Sequence, residues 1–155
     1  MSSPAPTPAT ASPQSQLPPS RQAPGWALPA FQWLTVINAV LMVVQAFLAS
    51  EGVFGGERNL VTGHGHLGNL VFLLVVAQAV LAFVLANAGR LPRMAVTIAA
   101  VIVLLTVAQI GLGYSTRNDV SLAAWHIPNG VLLMGGMAVL ATMAWTRRPE
   151  SPAAR

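Results

Sequence analysis

The sequence predicts an all-α fold: a polytopic membrane four-helix bundle built from two related helical hairpins, with both termini in the cytoplasm. Three observations predict it. The 155-residue chain is 54% hydrophobic and only 8% charged, with a mean hydropathy of +0.62, whereas a soluble domain carries roughly 25% charged residues. The charges leave four runs untouched, 31–50, 66–87, 94–114 and 122–145. Each has about the 20 residues that a helix rising ~1.5 Å per residue needs to cross a ~30 Å hydrocarbon core. Finally, the arginines divide unevenly among the segments between those runs.

Residues 1–30 hold eight of the twelve prolines, separated mainly by Ser, Ala, Thr and Gln. Such a segment buries too little apolar surface to offset its ordering entropy, so it reads as a disordered cytoplasmic tail. It lacks the basic n-region and apolar h-region of a signal peptide, which makes the first helix an uncleaved anchor. The bundle is expected over 31–146. Its helices are joined by an outer loop at 51–65, a short inner loop at 88–93 and a second outer loop at 115–121. A basic tail follows at 147–155.

Arg21, Arg90, Arg93, Arg147, Arg148 and Arg155 fall on one side of this topology, and Arg58 and Arg117 on the other. Basic residues favour the cytoplasmic face, which puts the chain in the plasma membrane with the 51–65 and 115–121 loops outside. Arginines scattered at helix ends serve topology, so nucleic acid is not an expected partner despite the basic balance. With no cysteine, disulfides, thiolate metal sites and covalent haem attachment are excluded.

The two hairpins echo each other. Helix 1 ends in VVQAFLAS and helix 3 in VAQIGLGY, pairing Gln45 with Gln109 and Leu48 with Leu112. Helix 2 opens with HLGN and helix 4 with HIPN, pairing His66 with His126 and Asn69 with Asn129. Two hairpins that both run out and back are related by an axis along the membrane normal.

Ionisable groups in membrane helices are costly and usually face the bundle interior. His66 and His126, at one level on helices 2 and 4, therefore present themselves as the two axial ligands of one haem b iron. Facing helices of a bundle project ligands inward, and neutral imidazole is available at neutral pH. Gly68, Gly130, Gly135 and Gly136 offer close approach of a ring or a helix. Leu73 and Leu133 are expected beneath the histidines. Arg58 and Arg117 are the outer cations for haem propionates. Asn69 and Asn129 orient a ligand, bridge water or cap a helix. His64 lies two residues from His66, points the opposite way on a helix, and is placed in the loop. Pro128 either starts helix 4 or kinks it. Against all this stands the plainer reading, in which His, Trp and Asn merely suit a wet boundary.

With HLGN, WHIPNG and QIGLG in place, residues 31–146 resemble one four-helix half of a haem A synthase. They also resemble small four-helix membrane proteins of actinobacteria with the same histidine layout. The resemblance implies a bis-histidine haem bundle. The chain departs from the synthases in having one half instead of two. It also has Gly63 where a glutamate normally precedes the helix 2 histidine, and Leu67 where an arginine normally follows it.

The expected function is that of a small integral membrane b-type cytochrome, for electron transfer or haem carriage. Two bound imidazoles leave iron no open axial position. An electron partner, a quinone or another membrane protein, is required, and a homodimer would rebuild a double bundle. The alternatives are a haem-free structural or assembly subunit and a haem-modifying enzyme of the synthase type.

Overall fold

The computed structural model describes residues 22–146. The expected tail at 147–155 and the proline-rich expectation for residues 1–21 lie outside the described residues. Four helices follow one another: α1 (Ala27–Phe54), α2 (Arg58–Asn87), α3 (Arg93–Ser115) and α4 (Ala123–Trp145), the last preceded by a 3-10 turn, Val120–Leu122. All four are long and apolar enough to cross a membrane, and no strand occurs among the described residues. Each helix packs on the next, and α4 closes onto α1, so α2 and α4 face each other diagonally.

The helices outrun the apolar segments that announce them. α1 begins at Ala27, inside the expected tail, and α2 begins at Arg58 instead of residue 66. The expected 51–65 loop is therefore a turn of residues 55–57. Its path requires glycine at Gly56, where φ is +76° and a Cβ would be disfavoured. At 30 residues, α2 is about 45 Å long, well beyond the ~30 Å of a hydrocarbon core. Once the chain leaves the lipid its side chains turn polar, but the backbone keeps its helical bonds because α1 packs alongside. Gly52 makes that packing close: a Cβ there would stand 2.8 Å from Val61 Cγ2 and 2.9 Å from the Val61 amide nitrogen.

At the other end, α2 stops at a left-handed glycine, Gly89, with φ +71°. The Arg90 amide donates to Leu85 O (2.8 Å) and the Gly89 amide to Ala86 O (3.0 Å), a paired closure that satisfies orphan carbonyls. Pro92 then caps α3 without needing a donor. Helix 4 runs straight past Pro128, which lies inside it, so the proline neither starts the helix nor ends it. It withholds one backbone bond from the carbonyl four residues earlier. Near the chain ends, Trp33 and Trp145 meet edge to face with centroids 6.3 Å apart, and Gln32 Nε2 donates to Ala144 O at 3.0 Å. Both contacts close α1 onto α4.

Polarity is inverted relative to a soluble bundle. Leu104 is 70% exposed and Phe47 65%, while Asn38 and Thr35 are fully buried and Gln78 nearly so. Such an exterior suits lipid, and the interior amides must find each other there. Asn38 Nδ2 donates to Gln78 Oε1 at 2.6 Å, and Gln78 Nε2 reaches Met137 Sδ at 3.6 Å.

The internal repeat is visible in the burial register. Buried Val71, Val75, Gln78 and Ala82 of α2 correspond to buried Leu133, Met137, Leu140 and Ala144 of α4, each 62 residues on. Buried Phe31, Thr35 and Asn38 of α1 correspond to Ala95, Ala99 and Ile102 of α3, each 64 residues on. That second offset is the one that pairs Gln45 with Gln109. The first differs by two residues from the offset that pairs His66 with His126.

Candidate functional site

The register decides which histidine faces His126. Counting back 62 residues from His126 gives His64, and these two rings meet, with centroids 6.2 Å apart and planes at 70°. His64 and His126 are half-buried, while His66 is exposed. The expectation that His66 faces His126 is therefore corrected. Both α2 histidines sit in the helix, ~200° apart around its axis at ~100° per residue, and only His64 lies on the inward face. Leu73, two turns from His66, shares its outward face and is 63% exposed, whereas Leu133 is buried below His126. His64 is not a loop residue.

Each ring is anchored within its own hairpin. His64 Nδ1 lies 3.0 Å from Gln45 O, and His126 Nδ1 lies 3.1 Å from Gln109 O. A carbonyl can only accept, so in each contact Nδ1 carries the proton, and in a neutral ring Nε2 then holds the lone pair. Such an anchor fixes the tautomer and orientation of a metal-binding imidazole and raises its basicity. The two glutamines are equivalents in the repeat, and so are the glycines that admit their side chains. A Cβ at Gly68 would lie 3.2 Å from Gln45 Nε2, and one at Gly130 would lie 3.2 Å from Gln109 Nε2.

Beyond these anchors the two halves diverge. Asn129 Nδ2 donates to Leu105 O (2.9 Å) and to Gln109 Oε1 (2.7 Å), and Gln109 Nε2 lies 3.2 Å from His126 Nε2. In the other half Gln45 Oε1 is buried with no hydrogen-bond partner. Asn129 thus uses its Nδ2 on the middle of α3 and on Gln109, not on a helix terminus. Asn69 belongs to a different neighbourhood: it is exposed and donates to Tyr114 Oη at 3.4 Å.

The outer cations are placed as follows. Arg117 is exposed and lays its guanidinium over the Tyr114 ring, 5.0 Å from the centroid. Arg58 is exposed at the first position of α2. Of the remaining glycines, Gly136 meets Ile102, at 3.0 Å from its added Cβ, while Gly135 faces open space. Around the histidines the backbone is bare. Gly63, Gly65 and Gly111 have nothing within 4 Å of an added Cβ, and Gly113 abuts the His126 ring at 3.1 Å.

Sequence reasoning missed Gln45 and Gln109 as histidine anchors, having read them as repeat markers and interhelical hydrogen-bond partners, and Gln109 is such a partner to Asn129 of α4. Glycine four residues after the histidine, as in His64 to Gly68 and His126 to Gly130, is the signal that identifies the inward pair. No group of three or more metal-binding side chains occurs among the described residues, so the site offers two imidazoles and backbone room. Searches against family models, curated proteins and solved structures return no match to this chain.

Proposed function

We propose that this protein is a small membrane b-type cytochrome, with one haem held between His64 and His126. The observation that carries the proposal is the 6.2 Å separation of the two ring centroids, with both Nδ1 atoms tied to backbone carbonyls. Two imidazoles on opposite sides of one metal, each bound at ~2 Å, have ring centres roughly 6 Å apart. The tautomer leaves Nε2, the more distal nitrogen, for the metal. Glycines 63, 65 and 111 leave open space beside the backbone at this level, and Gly113 lets the His126 ring lie close, which suits a broad planar group. The resemblance to half of a haem A synthase implies a bis-histidine haem in such a bundle, with His66 where the register here selects His64.

A bound haem, held by His64 and His126, would supply one-electron chemistry. The chain's own contribution is to fix two imidazoles, shield them in a mostly apolar bundle and set them near one end of it. By the bias of the arginines that end is extracytoplasmic, and both termini are cytoplasmic. Arg58 and Arg117 are the cations at that end for propionate charge. A quinone or a membrane redox protein is the partner class such a cytochrome needs. The assembly-subunit reading has only the open face at Gly135 in its favour.

Absorption spectroscopy of the detergent-purified protein tests the proposal. The expected result is a Soret band with paired alpha and beta peaks after reduction. His64→Ala and His126→Ala each lose the low-spin spectrum, while His66→Ala keeps it. A colourless protein that takes up no added haem overturns the reading. Loss of haem on His66→Ala alone would return the site to the exposed face of α2. Extracted haem that is chemically modified would favour the synthase-type enzyme.

A further inference from the structure

The two halves of the histidine site are built alike but finished differently, and the difference traces to one position. Asn129 presents its Nδ2 group to two neighbours, Leu105 O at 2.9 Å and Gln109 Oε1 at 2.7 Å. Because a backbone carbonyl accepts and never donates, the Asn129 atom facing Leu105 must be its nitrogen. The Gln109 atom receiving the other N–H is then its oxygen. That leaves the Gln109 nitrogen turned toward His126 Nε2, 3.2 Å away. An amide N–H donates, so His126 Nε2 accepts, which agrees with the proton on Nδ1 passing to Gln109 O at 3.1 Å. Each bond in this chain fixes the direction of the next.

The residue 62 positions before Asn129 is Leu67. A leucine cannot hold a carboxamide, and Gln45 Oε1 stands buried and unpartnered. The His64 ring is bonded through Nδ1 to Gln45 O, and no counterpart of the Gln109 bond reaches its Nε2 among the described residues. One lone pair is thus capped and the other is not, although the register of the two hairpins is the same.

We propose that Asn129, acting through Gln109, is a positioning residue that makes His126 the conditional ligand of the pair and His64 the unconditional one. The inference rests on the reading of the two histidines as axial ligands of one haem. Before His126 can bind a metal, its lone pair must give up the Gln109 amide. Whenever His126 lets go, that amide recaptures it. His64 faces no such competition. The His126 side is therefore where an exogenous ligand enters, and Asn129 sets how readily it does so. A neutral hydrogen bond contributes about 1 kcal/mol net, which corresponds to about a five-fold bias against ligation by His126.

The test uses full-length protein in detergent, read in two ways. Without haem, 15N NMR of histidine-labelled protein reports the state of each Nε2. Asn129→Leu should move the His126 Nε2 signal toward that of His64, and Leu67→Asn should move the His64 signal toward that of His126. With haem b bound and reduced, carbon monoxide competes for the axial position. Carbon monoxide can displace either histidine and the two routes add, so a bias of about five-fold predicts that its affinity falls about three-fold in Asn129→Leu and rises roughly 1.7-fold in Leu67→Asn.

Unchanged carbon monoxide affinity in both variants overturns the proposal while leaving the cytochrome reading intact. So does an NMR signal for His126 Nε2 that is indifferent to Asn129. Failure of the wild-type protein to take up haem removes the reading of the site, and the ligand order falls with it, whatever the NMR shows. Should Asn129→Leu fail to fold for want of its bond to Leu105, Leu67→Asn decides the question from the opposite side.

Discussion

Exchanging the buried amides Asn38 and Gln78 for apolar residues should cost less together than the two exchanges cost when summed singly. Asn38 is fully buried and Gln78 1% exposed, joined by a 2.6 Å hydrogen bond between α1 and α2. Gln78→Leu strands the Asn38 amide in a core without water, and Asn38→Val strands Gln78 Oε1. Leaving a buried polar group unpaired costs about 1–3 kcal/mol. The repeat supplies the control, because the matching positions in the second hairpin are Ile102 and Leu140, both buried. That hairpin already fills the matching positions without polar atoms. Valine suits position 38 better than isoleucine. Ile102 fits because it packs on Gly136, whereas the residue matching Gly136 in the first hairpin is Leu74. The double variant should therefore lose less than the sum of the two single losses, by a coupling of about 0.6–1.7 kcal/mol, the span from mean to maximum for interhelical bonds in a membrane bundle. Unfolding in mixed micelles, followed by circular dichroism, measures all four corners of the cycle. Purely additive losses would refute the claim that the two amides depend on each other.

Gly52→Ala should destabilise the α1–α2 hairpin by about 1–3 kcal/mol, the usual cost of forcing atoms into a packed contact, because its Cβ would press on the backbone nitrogen of Val61 at 2.9 Å. Gly135→Ala, with nothing within 4 Å, should instead gain up to about 1 kcal/mol from helix propensity; micelle unfolding compares the two. Asp119 accepts from the Ser121 amide at 2.9 Å, and hydrogen bonds from Ser121, side chain first and then backbone, hold its carboxyl below the usual 3.8. A depressed folded-state value means that its contribution is present above pH 3.8 and is lost as pH falls through the lower folded value. Asp119→Asn should remove that dependence from an acid titration of the 3-10 turn, observed by NMR.

The four spans were legible because lipid imposes its demand on every residue of a helix, and a run free of charges is hard to mistake. The start of α2 was not, because beyond the hydrocarbon the chain is held helical by α1, a contact that composition does not record, whereas its end at Asn87 lies where the apolar run stops. The histidine pairing turned on two residues of register. Matching the asparagines, Asn69 with Asn129, selects His66. Matching the glycines, Gly68 with Gly130, selects His64, and the buried positions from Val71 to Ala82 follow the glycines. Asparagine is a poor guide here because the two occupy different neighbourhoods, one on the Tyr114 hydroxyl and one on Gln109. A glycine facing a glutamine carboxamide answers a steric need that both hairpins share. The capped and uncapped lone pairs were beyond any sequence pattern, since they depend on which way two amides turn.

Each imidazole takes its anchor from the helix immediately before its own, α1 for His64 and α3 for His126. Neither hairpin needs the other in order to aim its ring. Severing the polypeptide at the Gly89–Arg90 turn would thus yield two self-sufficient pieces, each inserting by itself and carrying a ready-made nitrogen donor. Produced separately and mixed in one bilayer, they should dock and regenerate the complete pocket.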